Sequence, residues 1–73
     1  MKQHEFTLRE ETIELYKLLK ILRIAETGGQ AKELIRLEMV GLNGVTEYQL
    51  RKQIKAGDVV QVEDNTITIL PPK

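Results

Sequence analysis

The hexapeptide Thr27-Gly28-Gly29-Gln30-Ala31-Lys32 combines residue types and spacing that suit one chemistry, the binding of a phosphate group. A threonine followed three residues later by a glutamine is a capping-box pattern. The Thr27 hydroxyl accepts from the backbone N–H of Gln30, and the Gln30 amide reaches back to the N–H of Thr27. Gly28 and Gly29 then fall in the first helical turn with no side chain shielding their own N–H groups. A helix start carries roughly half a positive charge and several unpaired donors, so it attracts anions. Lys32 lies in the next turn, and Arg36, four residues on, shares its side of the helix. Lys20 and Arg23 near the end of a preceding helix can converge on the same corner, with Asn43-Gly44 and the Arg51-Lys52 pair flanking it. The competing reading is an ordinary helix entry after a tight turn, with each cation a solvated surface charge.

Other chemistries find little support. There is no cysteine, and the single histidine, His4, provides neither a metal cluster nor a catalytic triad; it reads as an exposed residue of an N-terminal arm. Glu10, Glu11 and Glu14 read as charge at a helix start rather than an acid–base pair. The Gly-Gly turn lacks the spaced glycines and Lys-Ser/Thr ending of a Walker loop. Phe6, Tyr16 and Tyr48 do not interleave with cations as a base-stacking sheet requires. Phe6 suits the core, Tyr16 a partly buried place beside the first helix, and Tyr48 is the one plausible stacker. The expectation is a non-enzymatic binder without metal, cofactor or small-molecule substrate. No apolar run approaches the roughly 18 residues of a membrane span, and the N-terminus lacks the apolar block of a signal peptide, so a cytoplasmic, soluble protein is expected.

At 73 residues the chain is one domain, and about 60 % of its unfolded surface is all that a chain of this size buries. Its net charge of zero hides an asymmetry. Residues 17–55 hold eight cations against four carboxylates, whereas residues 1–16 hold two against four and residues 56–73 one against three. A basic middle between acidic ends fits a polyanion-binding face on a neutral body.

The elements that must position these residues follow from periodicity. Phe6 and Leu8 alternate with polar residues, which predicts a short edge strand over 4–8. Thr12 is the expected cap of a first helix in which Ile13, Leu15, Leu18, Leu19 and Leu22 form an apolar stripe, Lys17, Lys20 and Arg23 a polar flank, and Ile24-Ala25 the end. A second helix starts at the Thr27 cap and buries Ala31, Leu34 and Ile35. Val40 and Leu42 then alternate with Gly41, and Asn43-Gly44 is a tight-turn signal. Residues 45–50 read as a polar connection or short strand, and Ile54 as an anchor before the Lys55–Asp58 turn. Residues 59–62 and 66–70 form a closing hairpin around Glu63-Asp64-Asn65, and Pro71-Pro72-Lys73 a frayed tail. The fold class is α+β: an N-terminal strand and a two-helix motif packed on a small, mainly antiparallel sheet, with a core of about residues 13–70.

Taken in order, Leu18-Leu19-Lys20, Thr27 to Lys32, Leu34-Ile35, Val40-Gly41-Leu42-Asn43-Gly44 and Gly57-Asp58-Val59-Val60 resemble a known module. It is the RNA-binding domain named after ribosomal small-subunit protein S-four, also called the alpha-L motif, and the likeness covers about residues 13–69. The Thr-Gly-x-x-Ala-Lys form and the N-terminal strand resemble the short stand-alone bacterial members of the YaaA and YbcJ type. The resemblance implies a partner among structured RNAs, ribosomal RNA or a ribosomal particle foremost, bound by a monomer. Lys20, Thr27, Gly28, Gln30, Lys32, Asn43 and Gly44 fall on motif positions. Gly29, Glu38 and Gly41 depart from it, standing where the wider family has arginine, glycine and a polar or basic residue. Two other readings of the chain are a winged-helix-like DNA binder, with the final hairpin as wing, and a protein–protein interaction module.

Overall fold

The computed structural model describes residues 2–73. Its elements run β1 (Lys2–Thr7), β2 (Thr12–Glu14), α1 (Leu15–Ile21), α2 (Gly28–Arg36), β3 (Val40–Leu42), β4 (Val45–Thr46), β5 (Gln53–Lys55), β6 (Val59–Val62) and β7 (Asn65–Leu70). Five strands make one sheet in the order β1-β7-β6-β3-β4, and β2 pairs separately with β5. All pairings are antiparallel except β1 with β7, where Phe6 lies beside Ile69 in parallel register. The expected α+β class, with a helical pair on a mainly antiparallel sheet, is what the chain forms.

Strand alternation decides which face of the sheet is covered. Val60 and Val62 of β6 and Ile67 and Ile69 of β7 are buried, whereas Gln61 and Thr68 between them are exposed. The covered face meets the helices: Leu15, Leu18, Leu19, Ala31 and Ile35 join the strand residues, Leu8, Ala25 and Ile54 in one cluster. Fully burying each of the larger side chains stabilises the fold by roughly 1.5–3 kcal/mol. Small Ala31, with no exposed surface, lets α2 lie close upon this core.

Several local expectations are corrected. Thr12 does not cap α1. Residues 12–14 are extended, with Ile13 opposite Ile54, and the Thr12 hydroxyl donates to Gln53 Oε1 at 2.6 Å. The β-branched Thr-Ile pair suits a strand, and its partner lies some forty residues away, beyond the reach of a local pattern. Helix α1 therefore starts at Leu15 without a side-chain cap. Its first donors go instead to the segment before β5: Leu15 N–H to the Lys52 carbonyl at 3.0 Å and Tyr16 N–H to that of Leu50 at 3.2 Å. The other end differs too, since α1 stops at Ile21 and Ile24-Ala25 lie beyond it. Arg23 has φ 59°, its N–H donates to the Lys20 carbonyl, and the Ile24 N–H donates to that of Leu19. This is a Schellman closure, and α2 repeats it. There Glu38 has φ 61°, its N–H goes to Ile35, and that of Met39 goes to Leu34. Arg23 thus lies beyond α1, in the turn that closes it, rather than on the helix itself.

The β3–β4 turn has Asn43 at φ 52° and Gly44 at φ 87°, the positive-φ pair of a type I′ hairpin, as the Asn-Gly signal predicts. The β6–β7 turn is shorter than expected, because Asn65 already pairs with Val62 and only Glu63-Asp64 form the loop. His4 is not a residue of a loose arm: it is half-buried in β1, with Nε2 3.0 Å from Asn65 Oδ1.

Candidate functional site

The mouth of α2 is built by Thr27. Its hydroxyl accepts from the Gln30 N–H at 3.0 Å, and its carbonyl accepts the Ala31 N–H at 3.0 Å to begin the helical ladder. The Gln30 side chain turns back as a capping box does, but one residue further: its Oε1 accepts from Glu26 N–H at 2.6 Å rather than from Thr27. These bonds leave the N–H groups of Gly28 and Gly29 without a partner among the described residues. Gly29 is exposed, and a Cβ built on it would meet only the Thr27 hydroxyl, at 3.9 Å. Gly28 is half-buried against the Tyr16 ring, 3.9 Å from where its Cβ would stand.

That ring organises one side of the mouth. Lys32 Nζ lies 5.1 Å from the Tyr16 centroid, a cation–π contact that holds the ammonium near the helix start instead of letting it sweep through solvent. Tyr16 is a contributor that spacing did not single out, because its link to Lys32 crosses between helices. Its place at the edge of the Leu15-Leu18-Leu19 stripe was the available sign. Exposed Lys20 and Arg23 line a shallow depression with Ala25 and Glu26 at the α1–α2 turn. Glu26 is the residue whose N–H is tied to Gln30, so this depression adjoins the mouth.

The remaining candidate residues divide. The backbone bonds from Leu15 and Tyr16 bring the Leu50–Lys52 segment alongside the start of α1. Within it Arg51 is exposed and partly committed, its Nε 3.7 Å from Glu14 Oε2. Lys17 meets the other oxygen of the same carboxylate at 3.0 Å. The hydrogen bond to Glu14 and its negative charge hold the Lys17 ammonium above its ordinary pKa, but an exposed pair of this kind adds little stability. Lys52 is half-buried, and Arg36 is exposed in the last turn of α2, where its charge suits the helix dipole.

Asn43 and Gly44 lie elsewhere, at the β3–β4 turn against β6. Asn43 Oδ1 accepts from Val59 N–H at 2.8 Å, and its Nδ2 donates to Asp58 Oδ1 at 3.1 Å. Asp58 is buried, and its second oxygen takes the Lys55 N–H at 3.0 Å. Structure therefore gathers Lys20, Arg23, Thr27, Gly28, Gly29, Gln30 and Lys32 around one helix mouth, brings Arg51-Lys52 beside it, and spends Asn43 on the fold. Among the described residues, no group of three or more His, Cys, Asp or Glu is placed to hold a metal ion, and no helix is long and apolar enough to cross a membrane.

The start of α2 is thus uncovered and bordered by cations, on a small α+β scaffold. The chain matches the model of the S4 domain over residues 6–70, nearly its whole length, and it belongs to that family. S4 domains are generally RNA-binding and not typically catalytic, which gives this chain a coarse assignment as an RNA-binding domain. No curated protein matches the chain.

Proposed function

We propose that this domain acts without catalysis, gripping the sugar–phosphate backbone of a structured RNA, ribosomal RNA first among the candidates, through the α1–α2 turn and the mouth of α2. The observation that carries this reading is the pair of Gly28 and Gly29 amides, unpartnered among the described residues, at a helix start adjoined by the Lys20–Arg23 depression and by the Lys32 ammonium held over Tyr16. In the proposed complex the two amides donate to one phosphate, reinforced by the helix dipole. Lys20, Arg23, Lys32 and Arg36 neutralise phosphates on either side, and Arg51 and Lys52 widen the contact. Backbone contacts of this kind supply affinity and register but little sequence information.

The test is a titration of a labelled hairpin RNA, with a duplex DNA of matched sequence as control, over a range of salt concentrations. Neutralising about three to five phosphates gives an affinity that falls with salt on a log–log slope of roughly 2.7 to 4.5 in magnitude. The RNA binds more tightly than the DNA. Replacing Lys20 and Lys32 together by alanine leaves a dispersed amide spectrum and removes most of the binding. Unchanged affinity in that variant refutes the site. Equal or stronger binding to the DNA favours a groove-reading domain, and binding that ignores ionic strength favours a protein partner.

A further inference from the structure

Tyr48 is the exception among the three aromatic residues, because it is 63 % exposed whereas Phe6 and Tyr16 are half-buried. It is exposed but not free. Its hydroxyl donates to Glu38 Oε1 at 3.0 Å, and its N–H donates to Glu47 Oε2 at 3.1 Å. The Glu47 N–H donates to the Val40 carbonyl at 2.9 Å just past the β3–β4 pairing, so Tyr48 leaves the sheet from a backbone that is tied to β3. A ring fixed at its backbone and at its hydroxyl presents a flat surface at little further entropic cost.

Glu38 makes this fixation more telling. It occupies the left-handed position that closes α2, where glycine fits freely and a glutamate is strained. The carboxylate kept at that position is the one that holds the Tyr48 hydroxyl. Its hydrogen bond and charge also hold the phenol above its ordinary pKa.

The surroundings of the ring indicate what lies upon it. The carboxylates of Glu38 and Glu47 repel a phosphate, so a nucleic-acid strand can meet the ring with a base but not with its backbone. Cations stand on both sides along the chain: Arg36 two residues before Glu38, and Arg51-Lys52 after a turn closed by Lys52 N–H to the Gln49 carbonyl at 3.3 Å. At most roughly 7 Å of chain separates Tyr48 from Leu50, whose carbonyl receives the Tyr16 N–H beside the α2 mouth. Resting on the RNA-binding reading above, we propose that Tyr48, positioned by Glu38, is a stacking platform for one unpaired base, so that the RNA preferred by this domain carries a bulge or loop beside the helix whose backbone it grips.

Two hairpin RNAs with the same stem test this, one fully paired and one with a single 2-aminopurine bulge. The wild-type protein binds the bulged hairpin about tenfold more tightly, in the range expected of one base–aromatic stack, and quenches the 2-aminopurine fluorescence. Tyr48→Ala, at an exposed site, abolishes both the preference and the quenching while leaving affinity for the paired hairpin unchanged. Tyr48→Phe and Glu38→Ala, which release the ring without removing it, retain part of the preference. Lys20→Ala with Lys32→Ala weakens both hairpins alike. Equal wild-type affinity for the two hairpins, or a preference that survives Tyr48→Ala, overturns the stacking role alone; the latter would leave the exposed Leu37, Met39 and Tyr48 surface to a protein partner. Failure of the wild type to bind either hairpin at low salt overturns both this inference and the backbone grip.

Discussion

The β3–β4 turn and the mouth of α2 both set glycine beside a polar side chain, and both offer donors that a ligand could use. The fold treats them in opposite ways. At the β3–β4 turn the Asn43 side chain gives its amide to buried Asp58 and takes the Val59 N–H, while its own N–H goes to the Val59 carbonyl. At the mouth of α2 the Thr27 and Gln30 side chains satisfy the N–H groups of Gln30 and Glu26, and those of Gly28 and Gly29 remain open. Because buried backbone and side-chain polar groups are nearly always paired, a turn whose polar side chain is spent on buried Asp58 and on the β6 backbone holds the fold. One whose donors are left partly open, at the surface and next to cations, is free to hold something else.

The sharpest way to break this contrast is Asn43→Ala. It removes both side-chain bonds, leaves a buried carboxylate short of a donor and puts alanine at φ 52°, so the expected loss is about 2–4 kcal/mol in urea unfolding. RNA affinity of the folded protein stays near wild type. A variant of normal stability with lost RNA affinity would reverse the roles of the two turns. Thr27→Ala comes next: loss of the cap costs about 1 kcal/mol. It also lowers RNA affinity, because the mouth it shapes becomes less ordered; unaltered stability would show that the cap contributes nothing. Arg23→Gly sharpens the contrast in another way. Relieving the left-handed arginine should raise stability by up to about 1 kcal/mol while RNA binding weakens, and a change of the same sign in both would refute a binding role for Arg23.

The smallest effect is electrostatic. The hydrogen bond to Glu38, together with its charge, keeps the Tyr48 phenol above the usual value near 10. The folded state thus favours the protonated phenol, and whatever stability this bond adds is present below the ordinary value and lost as pH rises through the raised one. Ring resonances of Tyr48 should titrate at higher pH in the wild type than in Glu38→Ala; identical midpoints would remove the bond from consideration.

What could be read along the chain was local. The apolar stripe through Leu15, Leu18 and Leu19, the Thr27 cap and the Asn43-Gly44 turn all depend on neighbours within four residues, and each is found where its spacing puts it. What escaped was non-local. Residues 12–14 are extended because Gln53–Lys55 supply a partner strand, and α1 dispenses with a side-chain cap because the carbonyls of Leu50 and Lys52 take its first donors. β1 pairs in parallel with β7, a register joining opposite ends of the chain. Likewise the candidate site was legible as far as its helix mouth, but the Lys32–Tyr16 contact and the Glu38–Tyr48 bond cross between elements, and the commitment of Asn43 appears only once Asp58 and Val59 are in place. Arg23 and Glu38 show a related limit, since a helix end that glycine would favour is made here by charged residues.

Amide resonances followed while a hairpin RNA is titrated into the labelled protein at low salt put the open mouth of α2 to the most direct test. The Gly28 and Gly29 N–H signals should move furthest and saturate together with those around Lys32, while Asn43 and Gly44 stay still. Movement centred on Asn43 and Gly44, with Gly28 and Gly29 unmoved, would contradict it.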